Sequence, residues 1–275
     1  MRFTKMHGIG NDYIYFDGAK EQISDPGALA IRLSDRHFSV GGDGIVLILP
    51  SDVADVRMRM WNADGSEGKM CGNAIRCVGK YAYERGLCVK DVIRVETASG
   101  IKTLYLNIKN GVVESVRVDM GAPILENAKI PVAYEGSNLA VPVTTKFSNK
   151  PLTCVSMGNP HAVLYIDGIA ALDLPKIGPM YERHPMFPEG VNTEFVEVID
   201  RNTLNMRVWE RGSGETLACG TGACAVAVAS VLNGFCPRGE EITVRLIGGE
   251  LSIRWDEETV WMTGPASFAF EGEVE

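Results

Sequence analysis

The sequence has no excess of positive charge and no apolar run long enough to cross a bilayer. Its 275 residues include 27 Lys and Arg against 35 Asp and Glu, a net charge of −8. That balance repels phosphate backbones and anionic lipid, so we expect neither nucleic acid nor a membrane surface as a partner. The uncharged stretch 217–237 contains an expected helix of about 20 Å, too short for a bilayer core of about 30 Å. We interpret it as a buried helix.

The sequence also lacks an export signal and the ligand spacing of a metal site. The N-terminus, MRFTKMHGIGND, has no apolar run followed by a small-residue cleavage site, so we expect a cytoplasmic protein. The seven cysteines are an odd number for a disulfide framework, and neither Cys-x-x-Cys nor His-x-x-x-His occurs. No lysine lies in a recognisable pyridoxal phosphate setting. These absences predict free thiols and a protein that needs no cofactor and no metal.

A repeat with an offset of 148 residues is present instead. Trp61 and Trp209 each lie ten residues before a Cys-Gly pair, which begins at Cys71 and at Cys219. The same offset relates further pairs: Gly10 and Gly158, Gly42 and Gly190, Glu67 and Glu215, Gly86 and Gly234, Gly100 and Gly248. A period this long indicates two homologous domains in tandem, because solenoid units have only about 20 to 50 residues. We expect domains at residues 1–120 and 121–265.

Each half predicts short strands around one strong helix. In the first half, strands are expected at 13–17, 45–49, 56–61, 92–97, 101–108 and 113–120. The first helix, expected at 73–85, has its charges on one stripe, and the second, at 221–233, is apolar all round and must be wrapped. The predicted fold class is α+β, with two domains related by pseudo-twofold symmetry. Each would have a curved antiparallel sheet around a central helix, with the active site in the cleft between the domains.

Cys71 and Cys219 each directly precede an expected helix. The positive end of the helix dipole and the free N–H groups there stabilise a thiolate over a thiol. Helix N-termini also bind carboxylates, so an amino acid held there would have its Cα between the two sulfurs. One thiolate would remove the α-proton while the opposite thiol delivers another, which inverts the stereocentre. The other cysteines are interpreted as small core residues: Cys77, Cys88, Cys154, Cys224 and Cys236.

Three segments closely resemble the diaminopimelate epimerase family. They are residues 70–77 (MCGNAIRC), 158–161 (GNPH) and 209–224 (WERGSGETLACGTGAC), and residues 6–12 (MHGIGND) are similar to the family's opening. The resemblance covers the whole chain and implies that residues 266–275 return to the first domain. It also implies interconversion of LL- and meso-diaminopimelate for lysine and peptidoglycan synthesis, usually by a homodimer.

The resemblance also implies roles for individual residues. Cys71 and Cys219 are the implied acid and base, and His161 and Glu210 the implied tuners of their pKa values. The implied substrate contacts are Asn11, Asn62, Gly72, Asn73, Asn159, Asn192, Glu210, Arg211, Gly220 and Thr221. Among these, Arg211 suits the second carboxylate of diaminopimelate, because a guanidinium binds a carboxylate through two hydrogen bonds.

Two positions depart from the family pattern. Ala74 stands where the family commonly has glycine, and Gly44 stands where some members offer a polar side chain to the substrate. We expect Ala74 to tighten the carboxylate cradle slightly. Gly44 removes one substrate contact, which affects affinity rather than chemistry.

Three other functions remain open from the sequence. The segments 8–10, 41–44 (GGDG) and 65–69 (GSEGK) suggest nucleotide binding, although none completes a dinucleotide or P-loop fingerprint. A non-catalytic amino-acid binder would use the same site without the thiols. The nearest alternative is a two-thiol racemase for proline or hydroxyproline, where His typically follows the first Cys-Gly. Asn73 and Arg211 favour diaminopimelate over that alternative.

Overall fold

The structure, a computed structural model, describes residues 1–275, and the chain divides into two compact units. The first comprises residues 1–119 and 263–275, and the second comprises residues 120–262. None of the helices combines the length and the apolarity that crossing a membrane requires.

The first unit is built mainly of strands, with two helices. Its strands are β1 (Arg2–Gly8), β2 (Asn11–Asp17), β3 (Gly44–Leu49), β4 (Val56–Asn62), β5 (Glu67–Gly68), β6 (Val92–Thr97), β7 (Gly100–Lys109) and β8 (Val112–Asp119). Helix α1 spans Pro26–Ser34 and helix α2 spans Gly72–Glu84. The last strand of the chain, Ser267–Glu273, pairs antiparallel with β1 and so belongs to this unit.

The second unit is likewise built mainly of strands, with two helices. Its strands are β9 (Thr153–Ser156), β10 (Pro160–Tyr165), β11 (Asn192–Asp200), β12 (Thr203–Glu210), β13 (Gly214–Glu215), β14 (Ile242–Leu246), β15 (Gly249–Trp255) and β16 (Val260–Gly264), whose last two residues are counted in the first unit. Helix α3 spans Leu174–Glu182 and helix α4 spans Gly220–Leu232. Two short 3₁₀ turns lie at Asn127–Lys129 and Ile169–Ala171. The strand Ser267–Glu273, described above with the first unit, is β17.

The repeat extends from the sequence to the strand register. Helix α3 begins and ends 148 residues after α1, and α4 begins and ends 148 residues after α2. Ile14 of β2 pairs with Ile45 of β3, and the residues at the same offset, Ala162 of β10 and Thr193 of β11, also pair. The two units therefore share the same fold.

The α+β class is confirmed, but the expectation of purely antiparallel sheets is wrong. Strands β2 and β3 pair in parallel, as do β4 and β6, β10 and β11, and β12 and β14. In each case a helix lies between the two strands in the chain: α1, α2, α3 and α4, in that order. A crossover helix returns the chain to the end where it started, which allows a parallel pair.

Several elements are missing from the sequence prediction, and others are displaced. Strand β1 and helices α1 and α3 were not predicted. A start signal for α1 is present, since Asp25 caps the helix through a bond from the Ala28 N–H and Pro26 begins it. Helices α2 and α4 begin and end one residue earlier than expected.

Both central helices are wrapped by the rest of their units. Helix α4 is buried along nearly its whole length, as its lack of charge predicts. Helix α2 is equally enclosed although it carries charges: Arg76 is 0% exposed and donates to the carbonyls of Gly72 and Pro265. Lys80 donates to the Val113 carbonyl and to Glu84. The charged stripe of α2 therefore binds protein groups inside the unit.

Helix α3 packs closely against strand β12 at Gly178. A Cβ atom built on Gly178 would lie 2.2 Å from ring atoms of Trp209. Helix α1 has Ala30 at the equivalent position of the first unit, where it is buried. The second unit thus needs glycine where the first tolerates a methyl group.

Replacing Gly178 by alanine should lower the free energy of unfolding by about 1 to 3 kcal/mol. The added methyl group overlaps a rigid ring, which outweighs the gain of about 1 kcal/mol in helix propensity. Denaturant unfolding measures the change. Lys176→Ala, at an exposed position of the same helix, is the control and should shift stability by less than about 0.5 kcal/mol. Equal stabilities of both variants would contradict the close packing.

Candidate active site

Each central helix begins directly after a cysteine. Cys71 is the N-cap residue of α2 and Cys219 is the N-cap residue of α4. Both cysteines follow a two-residue strand that pairs with the preceding long strand, β5 with β4 and β13 with β12. The same local chain path therefore brings a thiol to a helix start in each unit.

The Cys71 thiol is partly exposed and contacts Asn11. Its Sγ lies 3.3 Å from Asn11 Oδ1. The other end of that amide, Nδ2, donates to Asp43 Oδ2 at 2.7 Å. Because a carboxylate only accepts hydrogen bonds, Asp43 pairs with the nitrogen end of the Asn11 amide, and the amide oxygen faces the sulfur. An acceptor that can bind an ammonium group is thereby fixed beside Cys71.

Asp43 belongs to a cluster of charges that extends to the buried Lys5. Arg36 donates to Asp12 at 2.7 Å and to Asp43 at 3.0 Å, and Lys5 Nζ lies 2.6 Å from Asp12. Burial opposes ionisation of Asp12, but Arg36 and Lys5 still hold its pKa below the usual range. Burial and the Asp12 charge raise the pKa of Asp43. The segment 41–44, which suggested nucleotide binding, is thus tied to the orientation of Asn11.

The remaining predicted residues of the first unit lie at the start of α2 and at the ends of β3 and β4. Gly72 and Asn73 form its first turn and are buried, whereas Asn62, at the end of β4, donates to Ser66. Ala74 is buried and its carbonyl accepts from Tyr15. Gly44 has a φ of +153°, and a Cβ there would lie 2.0 Å from the Trp61 carbonyl. This backbone therefore excludes a side chain at position 44.

The Cys219 thiol is buried in the second unit. Its Sγ accepts from the Gly222 N–H at 3.3 Å and lies 3.6 Å from Thr221 Oγ1, and both contacts favour a thiolate. Burial, together with the Glu210 and Glu194 carboxylates, nevertheless raises the pKa of Cys219 well above its usual range. Desolvation and two negative charges thus oppose the stabilisation of a thiolate that the helix start offers to each cysteine.

His161 is fully buried between two polar side chains. Its Nδ1 lies 2.7 Å from Glu194 Oε1, and its Nε2 lies 3.1 Å from Asn159 Oδ1. Glu194 was not predicted as a site residue. The signal that could have identified it is a single carboxylate within residues 191–196, VNTEFV, which otherwise read as a buried strand.

Asn192 and Arg211 are joined at the ends of two neighbouring strands. Asn192 Nδ2 donates to the Pro160 carbonyl at 2.8 Å, and its Oδ1 accepts from the Arg211 N–H at 2.9 Å. The Arg211 side chain is exposed, with one bond of 2.9 Å to the Glu189 carbonyl. Glu210, the preceding residue, accepts from Thr216. Asn192 thus fixes the backbone of Arg211 and leaves its guanidinium accessible.

The other cysteines have the character of core residues. All seven cysteines are free thiols. Burial raises the pKa of Cys77 and of Cys236 to about 11, and raises the pKa of Cys154 still further. These thiols stay protonated at neutral pH and are poor nucleophiles. No group of three or more His, Cys, Asp or Glu side chains is arranged to hold a metal ion.

Solved structures of several racemases and related proteins have the same fold. A probable proline racemase from Agrobacterium radiobacter matches with a TM-score of 0.73 at 17% identity, covering 100% of this chain and 92% of that chain. A hydroxyproline epimerase from Agrobacterium vitis matches with a TM-score of 0.73 at 17% identity, covering 99% and 91%. These likenesses define a two-unit α+β fold.

The sequence comparisons define the family. The diaminopimelate epimerase family profile matches residues 3–126 and 153–269. The diaminopimelate epimerase of Acetivibrio thermocellus is 58% identical, over 100% of this chain and 99% of the relative. That of Methanococcus maripaludis is 55% identical over 100% of both chains. The chain therefore belongs to the diaminopimelate epimerase family.

The Cys77 thiol should lower the free energy of unfolding as the pH becomes alkaline. Its thiol ionises near the ordinary value of 9.0 in the unfolded chain and at about 11 in the folded protein. Between these values the unfolded chain loses a proton that the folded protein retains. The free energy of unfolding therefore falls as pH rises, by up to about 1.4 kcal/mol per pH unit for this group.

Denaturant unfolding of Cys77→Ala between pH 8 and pH 11 measures that contribution. The variant should show a shallower loss of stability than the unaltered protein above pH 9, and parallel curves below pH 9. The comparison uses the slope with pH, so the cavity left by the substitution does not affect it. An identical slope in both proteins would contradict the assignment.

Proposed function

We propose that this protein is an isomerase that interconverts LL- and meso-2,6-diaminopimelate, with Cys71 and Cys219 as its acid–base pair. The observation that carries the proposal is the duplicated thiol at a helix start, one in each of two homologous units. Inversion at Cα needs one group that removes a proton and another that delivers one to the opposite face. Membership of the diaminopimelate epimerase family supports this choice of substrate.

In this mechanism the two cysteines exchange roles at each turnover. The thiolate takes the α-proton and becomes a thiol, while the other thiol gives its proton to the opposite face of Cα and becomes a thiolate. Proton count and charge are thus conserved. The charge that develops on the carboxylate would be stabilised by the N–H groups of Gly72, Asn73, Gly220 and Thr221. The reaction then requires neither pyridoxal phosphate nor a metal.

The other polar groups would recognise the rest of the substrate. Three amide oxygens could bind a substrate ammonium group without adding charge, those of Asn11, Asn62 and Asn159. The Glu210 carboxylate would be a further, charged partner for an ammonium group. Arg211 would bind the second carboxylate, and Asn192 would hold Arg211 in place through its backbone N–H. Because Arg211 is exposed, it could bind the end of the substrate that is remote from the reacting Cα. Selectivity would depend on that end.

The proposal extends to the cellular role. A cytoplasmic homodimer that supplies precursors for lysine and peptidoglycan is the expectation carried by the family resemblance. The net charge of −8 argues against a nucleic-acid or membrane partner.

Substitution of either cysteine by alanine should abolish epimerisation. Each change removes the only acid or base on one face of Cα, and a loss of at least about 10³-fold in kcat follows. A chiral assay of diaminopimelate measures it. Cys88→Ala, which removes a thiol outside the site, is the control and should retain normal turnover. Near-normal turnover in Cys71→Ala or Cys219→Ala would overturn the proposed mechanism.

Substitution of Arg211 by leucine should reduce selectivity for diaminopimelate. Loss of a charge-assisted partner for the second carboxylate should lower kcat/KM by about 10- to 100-fold. Arg211→Lys keeps the charge but not the paired geometry, so it should recover part of the loss. Competition between diaminopimelate and amino acids without the second carboxylate, proline included, gives the selectivity. An unchanged preference in Arg211→Leu would exclude Arg211 as the specificity residue.

A further inference from the structure

Glu194 is a buried carboxylate close to Cys219. It lies on β11, and its side chain is 0% exposed. A Cβ atom at Gly222 would lie 2.9 Å from Glu194 Oε1 and 3.2 Å from Cys219 Sγ, so the oxygen and the sulfur are at most about 6 Å apart. Because Gly222 has no side chain, the carboxylate and the thiol can approach this closely.

His161 is the side chain that hydrogen-bonds this carboxyl group. Oε1 lies 2.7 Å from His161 Nδ1, whereas Oε2 is buried and has no partner. A fully buried carboxylate is unfavourable unless it is paired or protonated. The contact between His161 Nδ1 and Glu194 Oε1 therefore holds one hydrogen between the ring and the carboxyl group.

The groups around Cys219 act in opposite directions. The Gly222 N–H and the Thr221 hydroxyl, both on α4, favour a thiolate. Glu210 on β12 and Glu194 on β11 disfavour it. The other titratable group near Glu194 is the buried thiol of Cys154 on β9. Since Cys219 is itself buried, nearby charges are weakly screened and the carboxylates have a strong influence.

The first unit has no counterpart to this arrangement. At the offset of 148 residues, Glu194 corresponds to Val46, His161 to Tyr13 and Glu210 to Asn62. The two cysteines occupy equivalent positions at their helices, yet the two carboxylates near Cys219 are replaced by Val46 and Asn62 at the equivalent positions of the first unit. Cys71 instead lies next to the neutral amide of Asn11 and is partly exposed.

We propose that Glu194, paired with His161, is a positioning residue that keeps Cys219 as a thiol in the resting enzyme. Cys71 is then the resting base, a conclusion that rests on the proposed two-cysteine function. The proton stays on Cys219 Sγ until Cα accepts it. When the sulfur becomes a thiolate, the shared proton moves from His161 Nδ1 to Glu194 Oε1. This movement breaks one N–H bond, forms one O–H bond and removes the negative charge that faces the sulfur.

Alkylation of Cys219 by iodoacetamide as a function of pH, followed by peptide mass spectrometry, tests the proposal without substrate. In Glu194→Gln the midpoint of the Cys219 profile should fall by about one pH unit, which makes alkylation about tenfold faster below the midpoint. Glu194→Asp keeps the charge and should restore most of the original profile. Glu197→Gln, the same substitution further along β11, is the matched control and should leave the profile unchanged. An unchanged midpoint in folded Glu194→Gln would overturn the proposal.

A second measurement uses the unaltered protein and applies if Glu194→Gln does not fold. The ¹⁵N signals of the His161 ring should change with the same midpoint as Cys219 alkylation, because ionisation of the sulfur moves the shared proton. A His161 signal that stays constant through that range would overturn the proposal. Both readouts are independent of turnover, so a protein that shows the shift but does not epimerise diaminopimelate would refute the proposed function alone.

Discussion

A buried thiol beside two carboxylates does not ionise readily, and the second unit is organised around that constraint at Cys219. The helix N-terminus, the Gly222 N–H and the Thr221 hydroxyl all favour a thiolate, but burial, Glu210 and Glu194 outweigh them. His161 pairs with Glu194 through a contact of 2.7 Å between Nδ1 and Oε1. The proposed reaction would need such a balance, because Cys219 would be a thiol in one half-turnover and a thiolate in the other.

The two units have the same fold, but the residues around their two cysteines differ. Both helices begin after a cysteine, and both cysteines follow a two-residue strand. In the first unit a cluster of charges orients Asn11 so that a neutral amide oxygen meets Cys71. In the second unit the equivalent region holds an imidazole and carboxylates. In each proposed epimerisation step one cysteine removes a proton and the other delivers one. Unequal surroundings for two equivalent thiols are consistent with these different roles.

Much of this arrangement follows from the sequence, because the repeat and the helix starts are local patterns. The offset of 148 residues predicted two homologous halves, and the uncharged segment predicted the buried helix α4. The same offset could have predicted α3 from α1, whose start is marked by Asp25 and Pro26. Parallel strand pairing was missed because it depends on how each crossover helix returns the chain. The raised pKa of Cys219 was not predicted, because it depends on burial and on Glu210 and Glu194, which lie on other strands.

The position of the α-hydrogen during turnover tests the two-cysteine account most directly. LL-diaminopimelate is incubated with the enzyme in deuterated water, and product and remaining substrate are analysed after a small fraction has reacted. If one thiolate removes the proton and the other thiol, exchanged with solvent, delivers a different one, the new meso product carries deuterium at Cα while the remaining LL substrate stays protiated. Product that retains its original α-proton would show that a single group moves it from face to face, and would contradict the account.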